Sequence, residues 1–366
     1  MKSTNKKTAA KKAVKKKAAN KKAVAQKAVN KKKNRGRDHL LNRLFFGVLG
    51  VIVLLLVILA VIVFKKKTGL DLAAPYDEDA VIQVSDGDRL QMAEGFASDL
   101  CVAGDTVALN DISFSNSEKA GLFDLDNSQV LFAQNLHQKA YPASITKVMT
   151  AILAAKYADM SQEVTVSARA VELGEDSQVC GLREGDVLTM DELFRGMMIF
   201  SGNDAAIAIA ETVGGSVENF VEMMNQEAQA LGATNTHFAN PHGLQDEEHY
   251  TTVYDIYLML REAMNYDVFM DVAKEGYCTL HVTHKDGKSE SLYLSSTDQY
   301  MVGQKEAPKG VTVIGGKTGT TDEAGSCLAL ISQNSYGQPF ISIVLGAQGK
   351  TSLYDHMNQL LSQINF

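Results

Sequence analysis

The sequence predicts an α/β domain, an antiparallel sheet flanked by helices with a mostly helical subdomain, preceded by one transmembrane helix. Three observations lead there. An uninterrupted apolar run, residues 44–64, separates a basic segment from an acidic one. Strand-like runs lie at both ends of the acidic segment, and helix caps with 3.6-residue periodicity fill its middle.

The 366 residues carry 36 Lys and Arg against 43 Asp and Glu, a net charge of −7, with 45% hydrophobic residues, enough for a packed core. Five Pro, no Trp, 28 Gly and four Cys exclude collagenous, proline-rich and disulfide-dense classes. The average hides a split. Residues 1–43 hold 14 Lys and 3 Arg against Asp38 alone, and residues 68–366 carry a net charge of −26.

The basic tail, 1–43, repeats imperfect Lys-Lys-Ala-Val units without aromatic residues, a composition that cannot bury enough surface to fold. It offers no base-stacking or groove-reading element, so specific nucleic-acid recognition is not expected, and anionic lipid is its expected partner. Residues 44–64 contain no charged side chain. As a helix at ~1.5 Å per residue they reach ~31 Å, matching a bilayer core of roughly 30 Å. The run ends in Val63-Phe64-Lys65-Lys66-Lys67, not in small residues at a cleavage site, which reads as an uncleaved signal anchor. Basic residues are denser before it than after it, placing the N-terminus in the cytoplasm and the rest outside, in a single-pass cell-membrane protein. Residues 65–107, rich in Asp and Glu, read as a spacer.

Regular patterns begin near Ala108. Apolar runs at 122–125 and 129–132 flank Asp126-Asn127-Ser128 and predict a hairpin. Pro142-Ala143-Ser144 opens a helix with Val148, Met149, Ile152 and Leu153 on its buried face. A largely helical stretch follows: Thr189 and Glu192 form a capping box, Ser216 starts an amphipathic helix ending at Leu231-Gly232, and Thr252 starts another through Met264. Strands return at 311–314, 326–332 and 340–345, before a last helix from about Ser352.

Three short patterns carry the chemistry: Ser144-Ile-Thr-Lys147, Ser201-Gly-Asn203, and Lys317-Thr318-Gly319 followed by Thr320. As strings they recur at Ser3-Thr-Asn-Lys6, Ser3-Thr-Asn5, Ser332-Gln-Asn334 and Lys67-Thr68-Gly69; Ser3 lies in the tail and Lys67 at the membrane edge, whereas Ser144, Ser201 and Lys317 fall in that order on elements of one compartment. The spacing i, i+3 puts Lys147 on the helix face of Ser144, where a neutral amine can take the hydroxyl proton. Desolvation and a second cation, Lys317, both favour that neutral form. Ser201 can relay a proton to a leaving amine, and Asn203 can orient Lys147 and bond the substrate backbone. Lys317 and Thr318 offer a cation and a hydroxyl to a free carboxylate. The N–H of Ser144, at a helix start, can face a developing oxyanion.

These patterns, with Tyr141-Pro-Ala-Ser-Ile-Thr-Lys-Val-Met-Thr150, Ser201-Gly-Asn-Asp-Ala-Ala206, Asn240-Pro-His-Gly-Leu244, Tyr250, Asp255 and Gly316-Lys-Thr-Gly-Thr-Thr-Asp-Glu-Ala-Gly325, resemble the low-molecular-mass penicillin-binding proteins, serine D-alanyl-D-alanine carboxypeptidases of the fold shared with serine β-lactamases. The resemblance covers about 108–366. It implies a serine β-lactamase/transpeptidase-like fold and catalytic Ser144, Lys147, Ser201 and Asn203. It also implies substrate binding by Lys317, Thr318, Gly319 and Thr320, with the Thr320 N–H as the second oxyanion donor. The implied substrate is a peptidoglycan stem peptide, the implied covalent inhibitors are β-lactams, and no metal or organic cofactor is expected.

Class A β-lactamases add a glutamate in a Glu-x-x-Leu-Asn segment; the corresponding window, 233–242, contains none, which predicts a slowly hydrolysed penicilloyl-enzyme. The alternatives are a β-lactamase of the same fold and a non-catalytic cell-wall-binding membrane protein. Two departures from the family pattern stand out. Ser295-Ser-Thr-Asp-Gln-Tyr300 replaces an Asn-rich segment, and 47 residues follow Gly319, too few for the extra β-rich domain of many relatives. His281 and His284 read as surface residues, His242 as turn or pocket wall, and the four cysteines as mostly small core side chains, with one disulfide open outside the cytoplasm.

Overall fold

A computed structural model describes residues 99–365 apart from 110, 111, 113, 175 and 176. The basic tail, the apolar run 44–64 and residues 65–98 of the expected spacer lie outside the described residues. Among the described residues no helix is long and apolar enough to cross a membrane.

The expected hairpin forms from β1 (Lys119–Asp124) and β2 (Gln129–Gln134). Its turn is closed by the Asp124 carboxylate, which accepts from the Asn127 backbone and side-chain N–H groups at 3.0 and 2.8 Å. The chain returns to this sheet only at its end, with β7 (Thr312–Thr321), β8 (Gly325–Gln333) and β9 (Pro339–Ala347). The strand order is β2-β1-β9-β8-β7, antiparallel throughout.

Period-2 alternation sends side chains to opposite faces of this sheet. Leu122, Leu328, Leu330, Phe340 and Val344 pack with Leu353, Met357, Leu360 and Leu361 of the last helix, α8 (Lys350–Ser362). Phe123, Ala329, Ile331, Ile341 and Ile343 face the remaining helices. Because both faces are covered, β8 and β9 read as continuous apolar runs instead of alternating ones.

On the second face lies α1 (Lys147–Tyr157), which contacts α4 (Asn203–Gly214), α5 (Val217–Ala230) and α6 (Val253–Ala263). All residues from Lys147 to Ala154 are buried, so the one-sided face expected of this helix is replaced by burial all round. The caps agree with expectation. Ser216 and Thr252 accept from Asn219 and Asp255 N–H groups, and Thr189 and Glu192 form the reciprocal capping box of α3 (Met190–Arg195). Two short helices, α2 (Ala168–Val171) and α7 (Asp267–Ala273), complete the set.

The mostly helical subdomain carries in addition an antiparallel sheet that the sequence did not announce, ordered β3 (Glu163–Thr165), β4 (Val187–Thr189), β5 (Tyr277–Thr283), β6 (Ser289–Ser295). Two of these strands have three residues, too few to show a period. In β5, Cys278, Leu280 and Val282 are buried while Tyr277, His281 and Thr283 are exposed, a half-buried alternation whose exposed face resembles a loop.

His284 is also corrected. His281 is exposed, but His284 is largely covered and bridges Asp186 and Glu290 at 2.7 and 2.9 Å, and these carboxylates raise its pKa. All four cysteines are buried and free. Cys101 lies within the expected spacer yet is fully buried, and its N–H donates to the Tyr257 hydroxyl at 3.0 Å. The end of that segment therefore packs on the domain.

Candidate active site

Ser144 sits on a tight 3₁₀ turn, Ala143–Thr146, that runs directly into α1. Ala143 has φ +47°, a left-handed conformation costly for a residue with a Cβ, so its surroundings must hold it. Three contacts do. Gly243 approaches so closely that a Cβ there would lie 1.9 Å from the Ala143 carbonyl oxygen. The Thr146 hydroxyl donates to that same oxygen at 2.8 Å. His249 Nε2 lies 2.7 Å from the Thr146 Oγ1, whose own hydrogen is already used. His249 Nδ1 accepts from the Ala239 N–H at 3.0 Å, so the proton resides on Nε2 and the imidazole is neutral. Burial pushes its pKa down to about 4, consistent with a neutral ring. Neither Thr146 nor His249 stood out in the sequence.

Lys147 is fully buried, and its amine has three neighbours: Ser144 Oγ at 2.8 Å, Asn203 Oδ1 at 2.6 Å and the His242 carbonyl at 2.8 Å. Asn203 Nδ2 donates to Ser177 Oγ at 2.7 Å, which orients the amide with Oδ1 toward the lysine. Asn203 Oδ1 and the His242 carbonyl can only accept. A neutral amine gives its two hydrogens to them and turns its lone pair toward the Ser144 hydroxyl. Burial, and then the charge of Lys317, pushes the Lys147 pKa well below the usual lysine range.

The second group lies on Ser201, Gly202 and α4. Ser201 adopts φ +69° where a five-residue π-turn, Gly196–Phe200, ends, and Asn203 opens α4. A Cβ on Gly202 would lie 2.2 Å from Cys180 Sγ, so the chain there approaches the 180–182 loop closely. Asp204 is buried, and its carboxylate accepts from the Cys180, Gly181 and Leu182 N–H groups, fixing that loop to the helix N-terminus.

On β7, Lys317 is buried and donates to Ser201 Oγ at 2.9 Å and to the Thr318 carbonyl at 3.2 Å. Burial lowers its pKa to about 7, opposed by the charge of Asp298. The Thr318 and Thr297 hydroxyls lie 2.6 Å apart. Gly319 has no room for a side chain, since a Cβ would stand 2.8 Å from the Pro142 carbonyl and 3.0 Å from the Ser144 nitrogen. The strand and the turn that carries Ser144 are thus in backbone contact.

All eight predicted site residues converge. Ser144, Ser201, Thr318, Gly319 and Thr320 line a cavity of about 230 Å³ together with Gln178, Thr297 and Tyr354, while Lys147, Asn203 and Lys317 lie behind it in the hydrogen-bond chain. Thr320 also borders a groove of about 970 Å³ walled by Tyr141 and Tyr250. His242 contributes a backbone oxygen that no side-chain pattern could announce. Among the described residues no cluster of His, Cys, Asp or Glu is placed to hold a metal ion.

The D-alanyl-D-alanine carboxypeptidase DacF of Bacillus subtilis is 34% identical over 239 residues, covering 63% of this chain and 57% of that protein. DacC of Escherichia coli, of the same description, is 34% identical over 253 residues, 66% of this chain and 59% of that one. The chain thus spans less than two thirds of the length of these relatives. The crystal structure of the Streptomyces K15 DD-transpeptidase superposes with a TM-score of 0.60 at 25% identity, over 67% of this chain and 94% of that one. Residues 108–349 match the peptidase S11 family, D-alanyl-D-alanine carboxypeptidase, and the chain belongs to that family.

Proposed function

We propose that the domain from residue 108 hydrolyses the terminal D-Ala-D-Ala bond of peptidoglycan stem peptides through an acyl-Ser144 intermediate. The observation that carries this reading is the Lys147 amine 2.8 Å from Ser144 Oγ, with its two hydrogens taken by Asn203 Oδ1 and the His242 carbonyl. Lys147 takes the Ser144 proton as Oγ bonds to the carbonyl carbon. The tetrahedral oxyanion is met by the Ser144 and Thr320 N–H groups. The C–N bond breaks, and the departing D-alanine nitrogen receives, relayed through Ser201, the proton that Lys147 took from Ser144, which leaves Lys147 neutral again; Lys317 holds Ser201 by a hydrogen bond. Lys317 and Thr318 hold the substrate's terminal carboxylate. Water then attacks the acyl carbon, giving its proton back through Lys147, and Ser144 is regenerated.

β-Lactams acylate the same serine and remain there. No carboxylate lines the cavity among the described residues, so nothing in the lining activates water against a penicilloyl ester. Residues 44–64 anchor the domain outside the cytoplasm, with the basic tail on anionic lipid at the inner surface. Protease added to intact spheroplasts should cleave the domain and spare the tail.

The test is release of D-alanine from a diacyl-D-Ala-D-Ala peptide. Sustained release that Ser144→Ala abolishes is expected. No release despite penicillin labelling indicates a binding protein, and rapid turnover of penicillin indicates a β-lactamase; either overturns the reading.

A further inference from the structure

A single segment distant in sequence, residues 237–251, backs both Ser144 and Lys147. The His242 carbonyl meets the Lys147 amine at 2.8 Å, and the Pro241 carbonyl accepts from the Thr150 hydroxyl of α1 at 2.6 Å. Just ahead of the turn that carries Ser144, Ala140 and Thr251 exchange backbone hydrogen bonds at 2.8 and 2.9 Å. Between these anchors Gly243 lies against Ala143, and the His249 imidazole closes on the Thr146 hydroxyl at 2.7 Å.

The direction of each hydrogen bond in this last contact is fixed. Thr146 Oγ1 donates its hydrogen to the Ala143 carbonyl at 2.8 Å, so it can only accept from His249. His249 Nδ1 is occupied by the Ala239 N–H at 3.0 Å, which leaves Nε2–H as the donor. Thr146 and His249 are each 2% exposed, so water does not replace either partner. A donor on Oγ1 also polarises the Thr146 hydroxyl and strengthens its bond to Ala143. That bond matters because Ala143, at φ +47°, is held in a conformation that an alanine does not keep unaided, and Ser144 is the next residue.

We propose that His249 is a positioning residue for acylation: through Thr146 it locks the left-handed turn at Ala143, and so aims Ser144 Oγ at Lys147 and the Ser144 N–H at the oxyanion. The inference rests on the reading of Ser144 as the acylated residue. His249 touches neither substrate nor the reacting atoms, and it exchanges no proton in the reaction. Its loss should therefore slow the bond-forming step and leave binding in the cavity intact.

The experiment is covalent labelling of the full chain by a fluorescent penicillin over a range of concentrations. It separates the rate at saturation from the half-saturating concentration, and each rate is normalised to the protein labelled at completion. Asparagine can keep the acceptor for Ala239 but does not reach Thr146, whereas glutamine can place an amide N–H near the Nε2 position. His249→Asn should lower the saturated rate by about ten- to a hundredfold, with the half-saturating concentration changed by less than about twofold. His249→Gln should recover most of that loss. Thr146→Val breaks the same contact from its other end and should cost as much, Thr146→Ser should restore the rate, and the His249→Asn, Thr146→Val double variant should be no slower than either single one.

A merely structural role lowers the melting temperature without changing the rate per labelled molecule. That result would overturn the proposal, as would a glutamine variant no faster than the asparagine one, or losses that add in the double variant. Should the His249 variants fail to fold, the Thr146→Val and Thr146→Ser pair carries the test alone. If the wild-type protein forms no adduct on Ser144, the acyl-serine reading fails first and the inference falls with it.

Discussion

Asn203→Ala addresses the orientation of the base. In the native site the Lys147 amine has two acceptors for its hydrogens, at 2.6 and 2.8 Å, and Ser144 Oγ is left facing its lone pair. Removing Asn203 Oδ1 leaves one N–H of a fully buried amine without an acceptor, a cost of about 1–3 kcal/mol. The amine recovers part of that by rotating, and the nearest oxygen for a freed hydrogen is Ser144 Oγ itself. In that state Lys147 donates to the hydroxyl it must deprotonate. If the whole cost falls on the productive orientation, acylation slows by about 5- to 150-fold, since each 1.36 kcal/mol is tenfold.

Asn203→Asp separates orientation from charge. A carboxylate in the same position accepts equally well but stabilises the ammonium, so the Lys147 pKa rises and the acylation profile moves to higher pH. The assay is the second-order rate of covalent labelling by a fluorescent penicillin as a function of pH, with melting curves to confirm folding. A folded Asn203→Ala variant that labels within twofold of wild type would refute this account of the base.

Three further outcomes follow from the geometry. Gly319→Ala places a methyl group 2.8 Å from the Pro142 carbonyl and 3.0 Å from the Ser144 nitrogen, which should cost about 1–3 kcal/mol in stability and at least tenfold in labelling rate. Thr318→Val removes the hydroxyl that pairs with Thr297 at 2.6 Å, and should raise KM for carboxylate-terminated peptides by about tenfold with little change in kcat. Lys317→Met should be inactive yet more stable near neutrality. The native lysine, held near 7 against 10.5 when free, binds fewer protons than the unfolded chain between those values, so wild-type stability climbs with pH there. The advantage of the variant, read from urea unfolding, should shrink by about 1.4 kcal/mol per pH unit as pH rises through that window.

Much of this site was legible because its chemistry is local in sequence. Ser144 and Lys147 are one helical turn apart, and Lys317 to Thr320 are consecutive, so their relative placement follows from backbone geometry once the element type is known. The caps at Thr189, Ser216 and Thr252 were readable for the same reason. What escaped was long-range or carried by the backbone. The His242 carbonyl reaches Lys147 across 95 residues, and its side-chain identity says nothing about that contact. His249 supports the nucleophile turn from 103 residues away.

The hairpin of β5 and β6 was hidden for another reason. Its exposed face carries Tyr277, His281, Thr283 and Tyr293, so each strand contributes few core residues and the polar ones draw attention as candidate ligands. The Asp298 segment could be recognised as departing from an Asn-rich pattern, but not as buried. Burial there comes from α8, whose Tyr354 closes over it from 56 residues further on.

Two buried lysines in one site make the domain depend on a balance of charge that hydrophobic packing would not require. In the proposed reaction one is neutral to accept a proton and the other is charged to hold a carboxylate, and the charge of Lys317 helps push the Lys147 pKa down. Replacing such groups with apolar ones often stabilises a protein, so their retention marks function more than folding.

The most direct measurement is the mass and position of the adduct formed when the intact protein meets benzylpenicillin, read by intact-protein and peptide mass spectrometry over time. One penicilloyl group on Ser144 that persists, forms far more slowly in Lys147→Ala and is absent in Ser144→Ala, is the predicted result. An adduct on another residue, equal labelling of Lys147→Ala, or no adduct at all would contradict the assignment of Ser144 as nucleophile and Lys147 as its base.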